Sequence, residues 1–127
     1  MRLLVDTDRF SDFGRGVSEV VHLLEMTSEV FLPFIVLGEL RAGFSAGRRG
    51  VENERLLMGF LRRPGVSPLF ADDQTTRHYA AVYRQLRHQG SPIPANDIWI
   101  AALALQHSLV LYSRDGDFEH LPQLQRI

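Results

Sequence analysis

Apolar positions along the chain fall into short continuous runs, and these alternate with stretches of helical spacing. Leu3-Leu4-Val5 is one such run and ends at Asp6, which predicts a short buried strand. Val17, Val20, Val21 and Leu24 recur at helical intervals, predicting an amphipathic helix around Ser18 to Met26. Glu29-Val30-Phe31-Leu32 predicts a second strand, and Pro33 marks a break. Phe34 to about Gly43 carries Ile35, Leu37, Leu40 and Ala42, which predicts a helix containing Glu39. Ala46 to Gly50 is a loop by its glycines. Glu52 to Arg63 is a polar-faced helix stopped by Pro64-Gly65. Val66 to Phe70 predicts a third strand. Asp72-Asp73 opens a helix that runs to about His88, with acids where the helix dipole favours them.

Gln89 to Pro94 is a polar turn. Ala95-Asn96-Asp97 then opens the most apolar helix of the chain, Ile98 to Leu105, which should be buried nearly all round. Leu109 to Tyr112 predicts a fourth strand, Ser113 to Phe118 the loop leaving it, and Leu124 to Ile127 a short edge strand. Strands alternating with helices imply an α/β fold with a mostly parallel sheet of four or five strands. In such sheets ligands bind beyond the carboxyl ends of the strands. Asp6 follows the first strand and Asp115 lies just past the fourth, so both belong on one rim.

The length of 127 residues fits one domain spanning 1–127. The composition, 45% hydrophobic and 23% charged, suits a globular chain with a core. No apolar run is long enough to span a membrane, and the short N-terminal run ending in an acid is a strand, not a signal peptide. There is no cysteine, which removes disulfides and thiolate metal sites and fits a cytoplasmic protein. Net charge is −1, so no global basic field announces a nucleic-acid partner. All 14 basic side chains are arginine, whose planar fork suits phosphate better than an ammonium does.

The acids carry the candidate chemistry. Asp97 opens a buried helix, where it is either a cap or a ligand. Glu39 lies between Leu37 and Leu40, where it faces either solvent or the interior; a lone buried glutamate would cost several kcal/mol. Carboxylates converging on one rim repel one another by about 4 kcal/mol per pair near 4 Å, at an effective dielectric of 20. A hard divalent cation relieves that repulsion, and Mg²⁺ or Mn²⁺ wants oxygen ligands. His22, His78, His88, His107 and His120 show no ligand-like spacing, which argues against zinc.

Four segments together resemble the PIN-domain family, and within it the VapC-type toxins of toxin–antitoxin modules. They are Leu3-Leu4-Val5-Asp6-Thr7-Asp8, Leu37 to Gly43 around Glu39, Ala95 to Ala102 around Asp97, and Ser113-Arg114-Asp115-Gly116-Asp117-Phe118. Their order and spacing are similar to the family's across the whole chain. Asp8 stands where the family more often has asparagine, and Ser113 where it more often has threonine.

The resemblance implies a Rossmann-like α/β/α sandwich and endonucleolytic RNA cleavage by a water activated by Mg²⁺ or Mn²⁺. It also implies a homodimer and a cognate antitoxin. By the same transfer Asp6, Asp97 and Asp115 are metal ligands, and Glu39 acts directly or through a water. Thr7 and Ser113 support the acids. Asp117 competes with Asp115 for the metal, and Asp115 is favoured as nearer the strand end. Arg41, Arg48, Arg49 and Arg114 are candidate RNA or antitoxin contacts. Trp99 belongs to the core or a dimer interface. A catalytically inactive PIN module that binds protein or RNA is the alternative, though it would not need all four acids. A haloacid-dehalogenase phosphatase would want Thr or Val where Phe10 stands, and a response-regulator receiver would need a lysine.

Overall fold

A computed structural model describes residues 1–127. The chain runs β1 (Arg2–Val5), α1 (Thr7–Gly14), α2 (Ser18–Met26), β2 (Glu29–Pro33), α3 (Phe34–Ala46), α4 (Gly50–Leu61), β3 (Val66–Leu69), α5 (Asp73–Gln89), α6 (Ala95–His107) and β4 (Val110–Tyr112). A 3₁₀ turn, Gly116–His120, follows β4. The sheet has the order β3-β2-β1-β4, and every pairing is parallel. Leu3, Leu4 and Val5 are consecutive in β1 and each is fully buried. Side chains alternate faces along a strand, so helices must cover both faces of the sheet.

The predicted strands and long helices are present, with ends moved by a few residues. The expected C-terminal edge strand is reduced to one parallel bridge between Arg126 and Leu111. Leu111 N–H donates to the Gln125 carbonyl at 2.8 Å, and Ile127 N–H donates to that of Leu111 at 3.0 Å. The glycine of the Pro64-Gly65 stop is required sterically. Gly65 has φ +80°, and a Cβ there would lie 2.0 Å from the Ser28 carbonyl oxygen, where the chain passes from α4 into β3.

Residues 7–14 form a helix that the apolar pattern did not indicate. Asp6 precedes α1 and accepts from Thr7 N–H; Phe10 and Phe13, one turn apart, are the helix's buried apolar residues. Both rings pack on Phe60 of α4, at centroid distances of 5.3 and 4.9 Å. This contact spans most of half the sequence and fixes α1 directly above the end of β1. Trp99 is half-buried and packs against Tyr79 at 4.3 Å and Phe34 at 6.2 Å.

Candidate metal centre

Parallel register sets the rim. Val5 pairs with Tyr112, so the residues that follow them, Asp6 and Ser113, emerge side by side. Asp6 N–H donates to the Tyr112 carbonyl at 3.0 Å. The Asp6 carboxylate is nearly enclosed, at 5% exposure. It accepts from the Ser113 hydroxyl at 2.6 Å and from Thr7 N–H at 2.7 Å. Burial nonetheless holds its pKa above the ordinary carboxylate value, and the charges of Asp8 and Glu39 add to the effect.

Asp97 does not cap its helix. The capping position is Pro94, which offers no side-chain hydrogen bond, and α6 begins two residues before Asp97. Asp97 therefore stands in the first turn with its carboxylate available. One carboxylate oxygen each from Asp97, Asp115 and Asp117 lies within 4.8 Å of the other two. Asp115 caps the 3₁₀ turn by accepting from Asp117 N–H at 2.9 Å, which curls Asp117 back toward Asp97. Ser113 joins the halves of the site: its hydroxyl donates to Asp6 and accepts from Asp115 N–H at 3.1 Å.

Glu39 is exposed and faces the rim, not the core. Leu37 and Leu40 turn inward while Gly38 and Glu39 turn outward. The Thr7 hydroxyl donates to Glu39 Oε1 at 2.7 Å, and Asn96 Nδ2 donates to Oε2 at a long 3.5 Å. The N-terminal ends of α1 and α6 thus meet at one carboxylate from the middle of α3. Of the acids singled out from the sequence, Asp97 and Asp115 join Asp117 in the close trio. Asp6 lies outside the trio and reaches it through Ser113. The contact of Asn96 with Glu39 crosses between helices and has no local signal in the sequence.

The arginines are mostly engaged. Arg41 pairs with Glu54 at 2.8 Å and Arg49 with Glu52 at 2.8 Å. Arg114 pairs with the buried Asp12 of α1. Arg48 stands exposed in the turn between α3 and α4.

The PIN domain model of known protein families matches residues 3–124. The chain belongs to the PIN-domain family. Among curated relatives of this PIN domain is Ribonuclease VapC4 of Mycobacterium tuberculosis, 29% identical over 122 residues covering 96% of this chain and 82% of that relative. Toxin FitB of Neisseria gonorrhoeae is 34% identical, covering 91% of this chain and 90% of the toxin. Among solved structures, FitAcB from Neisseria gonorrhoeae aligns with a TM-score of 0.77 at 28% identity, over 98% of this chain and 96% of that one. The DNA-bound VapBC structure from Salmonella typhimurium aligns at 0.88 over 100% and 97%; at 23% identity it speaks to the fold alone. No helix of this PIN domain is long and apolar enough to cross a membrane.

The donor set of the PIN site fits a hard cation. All three close side chains offer carboxylate oxygens and no histidine joins them. The site also shows a shortage of positive charge. The pKa of Asp97 is pushed up to about 7, by burial first, then by the charge of Asp115, a hydrogen bond with Asp117, and the charges of Asp6 and Asp117. Below neutral pH Asp97 therefore retains a proton that an isolated aspartate would have lost.

That proton gives the site a pH signature. In the metal-free fold Asp97 binds its proton up to about pH 7, whereas its ordinary value is 3.8. Because the folded state holds the extra proton, stability from this group falls as pH rises from about 4 to about 7. A divalent cation must displace the proton, so its affinity should rise about tenfold per pH unit below pH 7 and level off above it. Calorimetric Mn²⁺ titrations at pH 6, 7 and 8 check this, together with proton release measured in two buffers of different ionisation enthalpy. A flat affinity without proton release would show that Asp97 is not at the cation.

Proposed function

We propose that this PIN domain is a divalent-cation-dependent endoribonuclease, using Mg²⁺ or Mn²⁺, and the toxin of a toxin–antitoxin pair. The observation that carries the chemical half is the acid trio of Asp97, Asp115 and Asp117 beside the buried Asp6, at the carboxyl end of a parallel sheet. The relatives named as ribonucleases and as a toxin support the RNA substrate and the biological setting. The VapBC and FitAB complexes among the similar structures support an antitoxin as partner. We extend to this chain the homodimer implied by the family resemblance.

In this proposal Asp97, Asp115 and Asp117 hold the cation, with the charge of Asp6 acting on them from beside the trio. A bound Mg²⁺ or Mn²⁺ supplies Lewis-acid stabilisation of the phosphate oxygens and lowers the pKa of water. The chain's own groups do the rest. Glu39, anchored by Thr7 and exposed, takes a proton from the attacking water. Ser113 keeps the Asp6 carboxylate oriented toward the trio. Arg48, exposed near the entrance to α4, neutralises RNA phosphate, so binding weakens as salt rises.

Incubation of the purified chain with RNA tests the activity. Cleavage is expected in Mg²⁺ or Mn²⁺, no cleavage with chelator, and strongly reduced cleavage for Asp6→Asn. Cleavage persisting in both controls would overturn the mechanism. Growth arrest on expression, relieved by co-expressing a small protein encoded beside the gene, tests the toxin assignment separately; a chain that binds RNA without cutting it is the inactive-module outcome.

A further inference from the structure

Asp6, which caps α1, and two acids within that helix grip the loop that leaves β4. Asp6 accepts from the Ser113 hydroxyl. Asp8 Oδ2 accepts from the backbone N–H of Arg114 at 3.1 Å. Asp12 accepts both arms of the Arg114 guanidinium, Nε to Oδ2 and Nη2 to Oδ1, each at 3.1 Å. Asp8 and Asp12 are one helical turn apart and so present one face to the loop. Asp12 is only 6% exposed and is also met by Arg15 and, at 3.5 Å, by Arg9. The Arg114 hydrogen bonds and charge hold its carboxyl below the ordinary range. A planar fork on a buried carboxylate fixes direction as well as distance.

The loop needs such a grip. Asp115 and Asp117 follow directly, and both are brought close to Asp97 against their mutual repulsion. Without restraint a loop carrying two acids would swing outward toward water. Asp8 contributes one acceptor only. Its second oxygen, Oδ1, is buried with no hydrogen-bond partner, so Oδ2 is all it offers the loop, and an asparagine offers the same.

We propose that Asp8 and Asp12 are positioning residues that act through Arg114, clamping the Ser113–Asp117 loop to α1 so that Asp115 and Asp117 face Asp97. The inference rests on the reading of the acid trio as the cation site, and it gives Arg114 a role in holding the loop. Its consequence is that substituting a residue that offers the cation no ligand alters cation affinity.

Arg114→Met, Asp8→Ala and Asp8→Asn test the clamp in the full chain. Outer partners of metal ligands typically contribute about 10–100-fold in affinity. Mn²⁺ affinity is expected to fall by that range in Arg114→Met and Asp8→Ala and to stay near the parent value in Asp8→Asn. Amide exchange at residues 113–117 of the metal-free protein is expected to quicken in the first two variants and not in the third. A purely structural role would lower the melting temperature while leaving Mn²⁺ affinity of the folded protein unchanged, and that result overturns the proposal. So does an Asp8→Asn variant as weak as Asp8→Ala. If the parent protein binds no Mn²⁺ at all, the cation reading fails. The exchange data then decide the clamp alone, and unchanged exchange in Arg114→Met refutes it.

Discussion

Asp97→Asn lowers kcat/KM for cation-dependent RNA cleavage by at least about 100-fold, the loss of roughly 3 kcal/mol of transition-state stabilisation. The substitution keeps the size of the side chain and one oxygen, so the fold has no reason to change. What it removes is the charge at the centre of the close acid trio. The same charge is the most strained in the metal-free protein, since burial, Asp115, Asp117 and Asp6 all favour its protonated form. At pH 8 in chelator the variant should therefore melt at a temperature equal to or above that of the parent. Activity lost while metal-free stability is kept or gained is the signature of a functional charge held at a cost to stability. Melting curves in chelator and in Mn²⁺, beside the cleavage rate, separate the two effects. A variant that loses both together would mark Asp97 as structural.

Phe118→Ala produces the second large effect. Phe118 is completely buried and sits in the 3₁₀ turn directly after Asp117. Truncating a buried phenylalanine costs about 3–5 kcal/mol. For a chain of this length that corresponds to a drop of about 10–20 °C in melting temperature. Phe118 is the apolar anchor of the turn that Asp115 caps, so its loss also frees Asp117. Mn²⁺ affinity at a temperature where the variant remains folded should fall as well. Thermal denaturation by circular dichroism and Mn²⁺ calorimetry give the two readouts. A melting temperature within a few degrees of the parent would show that the turn is held by the backbone alone.

The strands were legible because each is a short apolar run, and β1 and β4 are buried on both faces. With the strands in place, the rim position of Asp6 and Asp115 follows from topology. Helix α1 was not legible. Thr7, Asp8, Arg9, Ser11 and Asp12 leave it too few apolar positions to mark a helix, and the two phenylalanines that fix it find their partner, Phe60, far along the chain. The direction of Glu39 was open for a related reason: Ile35, Leu37, Leu40 and Ala42 put apolar residues on several sides of α3, so the pattern gives only a weak preference for the face of Val36, Leu37 and Leu40 that is buried. In the sequence Asp97 stands where a cap would, just before the apolar run, yet the helix starts after Pro94 and leaves the carboxylate free of capping. Asp117 comes into the trio only because Asp115 caps a tight turn, a local hydrogen bond that spacing alone does not reveal. The pairing of Arg114 with Asp12 joins residues 102 positions apart. No periodicity carries that information; the parallel pairing of β1 with β4 does.

Anomalous diffraction from crystals grown with Mn²⁺ locates the cation. A peak is expected among the carboxylates of Asp97, Asp115 and Asp117, lost in crystals of Asp97→Asn. A chain that cleaves RNA in Mn²⁺ yet shows its peak elsewhere, or keeps the peak in Asp97→Asn, would contradict it.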